Sequence, residues 1–219
     1  MSEARKTGLE FIVLVALLNA LVAMSIDTML PAIGEIATEL GALHANDRQL
    51  IITLFFAGVT VGTLVYGPLS DSLGRRPMIF AGLMLYGIGT VICYAAWSFP
   101  MMMAGRLVQG FGAAGPRIVS IAMVRDGQAG AAMARVMSFV MSVFMIVPII
   151  APSVGQAVLL AAPWRMIFVG FFAMGLIATL WLGFRQPETL PAGKRAPFSA
   201  VAVRGSPQVP VTGARSENE

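Results

Sequence analysis

Six stretches of about twenty mostly apolar residues limit what this chain can fold into more than any other feature. They cover residues 9–30, 50–69, 78–97, 101–124, 133–160 and 164–184. A helix needs about 20 such residues to cross the hydrocarbon core of a bilayer. In lipid the backbone must satisfy its own hydrogen bonds, which a helix does within one segment. The expected fold class is therefore all-α, a polytopic membrane bundle of six transmembrane helices spanning residues 1–184. Only 12% of the residues are charged, about half the share a soluble domain carries. Arg5 and Lys6 precede the first run as they would in a signal peptide. Five further runs follow, so an uncleaved first helix is expected. The single Cys93 excludes an internal disulfide framework and, lying in an apolar run, reads as a packing residue.

Cytoplasmic loops collect Lys and Arg, and every second connection does so here. Arg5 and Lys6 lie before the first run, Arg75 and Arg76 between the second and third, and Arg125 and Arg135 around the fourth-to-fifth connection. Arg185, Lys194 and Arg195 follow the sixth. The alternate connections carry Glu35, Glu39 and Asp47 against Arg48, then no charge, then Arg165. Both termini are expected to be cytoplasmic. The net charge of +4 is accounted for by this asymmetry, and no nucleic-acid partner is expected. From residue 185 to 219 the composition turns to Pro, Gly, Ala and Ser without helical periodicity, the mark of a disordered cytoplasmic tail.

Charges inside the spans are the informative residues, because an ion in the bilayer is expensive unless paired or hydrated. Asp27, Arg106 and Arg117 qualify. Asp27 stands near the outer end of the first helix, just before Pro31. Arg106 lies about 10 Å in from the outer end of the fourth, so the two share one half of the membrane and can pair if their helices are neighbours. Arg117 follows Arg106 by about three turns and shares its face, with Gln109 close by. One reading is a polar stripe facing a water-filled cavity. The other has Asp27 and Arg117 reaching the two interfaces and Arg106 buried alone. Gly58-x-x-x-Gly62 in the second helix suits either close packing inside one bundle or a dimer face. Pro148, Pro152 and Gly155 in the fifth describe a shaped helix.

The connection "GPLSDSLGRRP" resembles the loop signature of the major facilitator superfamily, Gly-x-x-x-Asp-Arg/Lys-x-Gly-Arg-Arg/Lys. Gly67, Asp71, Gly74, Arg75 and Arg76 match, and Ser72 stands where a base is usual. "RLVQGFGAAG", from Arg106, resembles the fourth-helix motif of that family. "IDTMLPAI" and "PWRMIF" resemble the first helix and the start of the sixth in Bcr/CflA-type drug:proton antiporters. "APSVGQ" resembles the fifth-helix antiporter motif, with Pro152 and Gly155 matching and Ala151 and Gln156 replacing glycines.

The resemblance implies half of a twelve-helix major facilitator fold, the N-terminal half, in a bacterial inner membrane. It implies a multidrug efflux transporter of the proton-antiport type, with small amphiphilic drugs and protons as its ligands. Asp27, Arg106, Gln109 and Arg117 are then the substrate and proton site. Asp71 is then a conformational latch, with Gly67 and Gly74 permitting the turn and Arg75 and Arg76 also fixing the topology; the lesser alternative is a topology signal alone. Since the family works with two six-helix halves, this chain is expected to be truncated and inactive alone, needing a second half-transporter or self-association. The alternative is a non-transporting remnant or a partner of an intact transporter. No cofactor, metal or enzymatic activity is expected: His44 is the only histidine, and there is no His-Glu-x-x-His.

Overall fold

The computed structural model describes residues 2–44, 46–186 and 188–190. The chain runs through α1 (Ser2–Asp27), a 3-10 turn (Leu30–Ala32), α2 (Ile33–Glu39), a second 3-10 turn (Asp47–Gln49), α3 (Leu50–Leu73), α4 (Arg75–Tyr94), α5 (Phe99–Gly127), α6 (Gly130–Ala161) and α7 (Arg165–Arg185). The described residues contain no strand. Six helical segments are long and apolar enough to cross a membrane, one from each apolar run.

The ends of these segments differ from the apolar runs for local reasons. The first does not stop near residue 30. Pro31 has no N–H to give the Asp27 carbonyl four residues before it, so α1 ends at Asp27. Proline is tolerated in a first turn, and the chain re-enters helix through the 3-10 turn into α2. Glu35 and Glu39, expected in a loop, therefore lie on α2. At the other end α5 runs on to Gly127 and carries Arg125 and Asp126 in helix. α3 and α4 are joined by Gly74 alone, with φ +108°, a conformation that side-chain-bearing residues rarely adopt. Pro148 and Pro152 lie within α6, which continues as one helical element through both.

α5 is the centre of the bundle. It packs along α3 and α4, α1 crosses it, α6 lies on α1, and α7 covers α4 and part of α1. Small residues make the close α3–α5 approach possible, as packing in lipid requires. A Cβ at Gly58 would stand 2.2 Å from the Leu107 carbonyl oxygen, and one at Gly110 would stand 2.0 Å from that of Phe55. Gly62 faces Phe111 and Ala114 in the same seam. The Gly58-x-x-x-Gly62 face is thus consumed inside the bundle, and a dimer through it is ruled out while the bundle is intact. The core continues through Leu18, Leu21, Ile51, Phe55, Tyr86, Met102 and Phe168. α6 is the least embedded, presenting Met145 and Ile149 outward.

The tail expectation changes at its start. Gln186 and Leu190 are packed against the bundle, and Glu188 bonds to it. The rest of the expected tail, residues 191–219, lies outside the described residues, as do the side chains of Arg5 and Lys6.

Candidate functional site

Arg106 is fully buried where α1, α3, α4 and α5 meet. Its Nε donates to the Ile51 carbonyl at 3.1 Å, Nη1 to Gln109 Oε1 at 2.7 Å, and Nη2 to the Ser25 carbonyl at 3.0 Å. The Phe55 ring lies 4.4 Å from its Cζ. The break before Pro31 explains the third bond. Ser25 is in the last turn of α1, whose final carbonyls have no partner along the helix and form the negative end of its dipole. Arg106 fills that place, so the guanidinium is balanced by carbonyl dipoles and an aromatic face without a carboxylate.

The network spreads from there. Gln109 Nε2 donates to Thr90 Oγ1 at 2.8 Å, and Thr90 Oγ1 donates to the Tyr86 carbonyl at 2.7 Å. Ser25 Oγ stands 2.7 Å from the Leu21 carbonyl and 2.8 Å from the Tyr86 hydroxyl. Ser25 has one hydroxyl proton, so it donates to Leu21 and Tyr86 donates to it. Asn19 adds a separate α1–α5 link through Ser120 Oγ at 3.2 Å.

These partners correct the expected stripe. Arg106 and Gln109 do not face an open cavity; both are enclosed. Arg106 does not pair with Asp27, which is half-buried and in no ion pair among the described residues. Arg117 is also half-buried. It lies about 16 Å farther along α5, with its Cζ 5.5 Å from the Phe144 ring of α6. Gly155 touches the same break as Asp27: a Cβ there would stand 2.0 Å from the Thr28 carbonyl oxygen and 3.1 Å from Pro31 Cγ. Pro152 precedes it by less than a turn. The break that follows Asp27 and the fifth-helix motif therefore pack against each other.

At the α3–α4 end the arginine, not the acid, is the hub. Arg75 is buried and holds Asp71 Oδ1 through Nη1 at 2.6 Å and Asp126 Oδ2 through Nε at 2.8 Å. Nη1 also donates to Ser70 Oγ at 2.7 Å. Asp71 is about half exposed and is bound by this one cation. Arg76 turns the other way, donating from Nη2 to the Gly183 carbonyl at 2.6 Å and lying over the Phe80 ring. Gly67 takes no part in the turn; it is inside α3, and a Cβ there would meet nothing within 4 Å. A cleft of about 320 Å³ lies beside the cluster, between α3 and α5.

A third cluster closes the opposite end. Glu39 on α2 accepts from Trp164 Nε1 at 2.6 Å and from Arg165 Nη1, and Arg165 Nη2 donates to the Ala96 carbonyl at 3.1 Å. Sequence reasoning missed Glu39, Asp126 and Glu188 as partners, and it missed Ser25, Tyr86 and Thr90. The last three carried a usable signal, since polar side chains within apolar runs ask for partners. The acids carried none, because each meets its partner at least 50 residues away in sequence.

Comparison with known proteins agrees with this architecture. The family model described as Major Facilitator Superfamily matches residues 15–213. The chain belongs to the major facilitator superfamily. It is 35% identical over 198 residues to the uncharacterized MFS-type transporter YdgK of Bacillus subtilis (strain 168), covering 88% of this chain and 49% of that protein. It is 33% identical over 172 residues to the multidrug resistance protein MdtL of Salmonella heidelberg (strain SL476), covering 78% and 43%. To the bicyclomycin resistance protein homolog of Haemophilus influenzae it is 32% identical over 198 residues, covering 90% and 49%. The chain spans about half the length of the curated relatives it matches. The crystal structure of the human organic anion transporter MFSD10 (TETRAN) superposes with a TM-score of 0.69 at 22% identity, covering 87% of this chain and 50% of that one. The fold is thus that of a six-helix portion of a major facilitator transporter, a family of transport proteins and not of enzymes.

Proposed function

We propose that this bundle is the N-terminal half of a proton-coupled multidrug exporter of the bacterial inner membrane, with both termini cytoplasmic. The substrate path lies between it and a second bundle. The observation that carries the reading is the division of labour among the membrane charges. Arg106 spends its hydrogen bonds inside the bundle, whereas Asp27 and Arg117 are half-buried and enter no ion pair among the described residues. An ion in the membrane without a partner calls for water, a ligand or a facing wall. Asp27 is then the proton carrier and Arg117 a ligand contact. Arg106 and Gln109 hold the α1 break in shape behind them. The relatives named for multidrug and bicyclomycin resistance support drugs as the cargo class.

Alternating access moves one bundle against another about a midplane site, so the reading also holds that the 219 residues alone do not export. The test is expression in a drug-sensitive bacterium lacking its own exporters, as the chain alone and joined to the second half of a full-length relative. Retention of a fluorescent cationic dye is recorded with and without a protonophore. The joined protein should expel dye and stop when the proton gradient is dissipated, while the chain alone should not. Gradient-driven efflux by the chain alone would replace this reading with a self-associating transporter. No efflux from a joined protein that is present in the membrane would refute it.

A further inference from the structure

The first N–H groups of a helix have no partner within it, and a neighbouring side chain normally caps them. α4 begins at Arg75 behind Gly74, which has no side chain to offer. The cap comes instead from the far side of the chain. Glu188 Oε1 accepts from the Arg75 amide at 3.0 Å and Oε2 from the Arg76 amide at 3.1 Å. Oε1 also accepts from the Leu190 amide at 3.0 Å, so the same carboxylate fixes its own turn. A carboxylate at a helix N-terminus is favoured by the dipole as well as by the hydrogen bonds. Two buried side-chain atoms without a partner among the described residues, Arg76 Nε and Thr189 Oγ1, belong to this segment and the one it grips. Among the described residues, Glu188 is the side chain that caps these two amides.

The capped residue is the one whose side chain joins Asp71 on α3 to Asp126 on α5. Gly74 is the single link between α3 and α4, with a positive φ and no side chain, so the acceptor for the first amides of α4 comes from Glu188. We propose that Glu188 is a positioning residue for the Arg75 cluster: by holding the Arg75 and Arg76 amides, it sets the guanidinium within reach of both carboxylates. It thereby ties the segment leaving α7 to the α3–α4 junction, so that movement of that segment is felt at the Arg75 ion pairs.

A residue that merely pins the segment after α7 would affect stability without regard to Arg75. A double-mutant cycle separates the two cases, because independent sites add and coupled ones do not. Thermal unfolding of the full chain in detergent is measured for Glu188→Ala, Asp126→Asn and the pair. Amide hydrogen exchange is followed at Arg75 and Arg76 in Glu188→Ala and in the milder Glu188→Gln. Without its cap, α4 should exchange at these two amides roughly fivefold faster, the worth of one helix cap. The paired substitutions should lower the unfolding temperature by clearly less than the two single shifts added together. The pair Glu188→Ala with Glu39→Gln, at the opposite end, should add. Glu188→Gln keeps one acceptor oxygen and should fall between wild type and Glu188→Ala. Unchanged exchange at Arg75 and Arg76, or shifts for Glu188 and Asp126 that add like the distant control, would overturn the proposal.

Discussion

Single side chains divide into those that hold the bundle and those left to act. Arg106 belongs to the first group. Arg106→Lys keeps the charge but not the three-way fork that reaches Ile51, Gln109 and Ser25 at once. Arg106→Ala leaves the Gln109 amide oxygen unpaired in the core, and about 1–3 kcal/mol of stability should be lost, the cost of a buried acceptor without its donor. Thermal unfolding in detergent checks the order wild type, Lys, Ala. At the α3–α4 end Arg75→Ala should be the damaging change, removing contacts to Asp71, Asp126 and Ser70 together. Asp71→Asn removes one half-exposed ion pair and should cost less than about 1 kcal/mol, with membrane insertion and topology unchanged. Arg106 was legible in the sequence as an ion within an apolar run, and Arg75 and Asp71 as a charged connection between two such runs. Their partners were not. Arg106 is satisfied in part by a carbonyl whose availability depends on where α1 stops, and Arg75 is held not only by nearby Asp71 but by Asp126, 51 residues away.

Helices are placed here by small residues and by one proline. Gly110→Ala drives a methyl group into the Phe55 carbonyl oxygen, so α3 and α5 must part. Destabilisation of about 1–3 kcal/mol is expected from such overpacking. Gly67→Ala is the matched control, since that position is open and alanine favours helix; its unfolding temperature should not fall. Gly155→Ala pushes on the Thr28 carbonyl oxygen and Pro31, and in a joined exporter it should reduce efflux out of proportion to its effect on the amount of protein in the membrane. The existence of all six spans was plain from the apolar runs, because lipid imposes length and hydropathy directly. The continuation of the first helix to Glu39 was hidden because Pro31, Glu35 and Glu39 read as a loop, while Pro31 here opens a new turn. Gly58 and Gly62 announced a close seam but not its partner, which only the α3–α5 geometry decides.

The whole bundle is clamped at both ends, by the Arg75 cluster and by Glu39 with Trp164 and Arg165, and is stitched through its middle by the Arg106 network. Such a unit suits rocking as one body against a second bundle. On this account the groups left to meet proton and drug are those the clamps do not use, Asp27 above all. The most direct test measures protons. The bundle is joined to the second half of a full-length relative, purified in detergent and placed in weakly buffered solution with a pH indicator. A transported drug is then added in excess. Antiport at Asp27 predicts release of a proton on drug binding, and loss of that release in Asp27→Asn with drug binding itself retained. Undiminished proton release from Asp27→Asn would contradict the account.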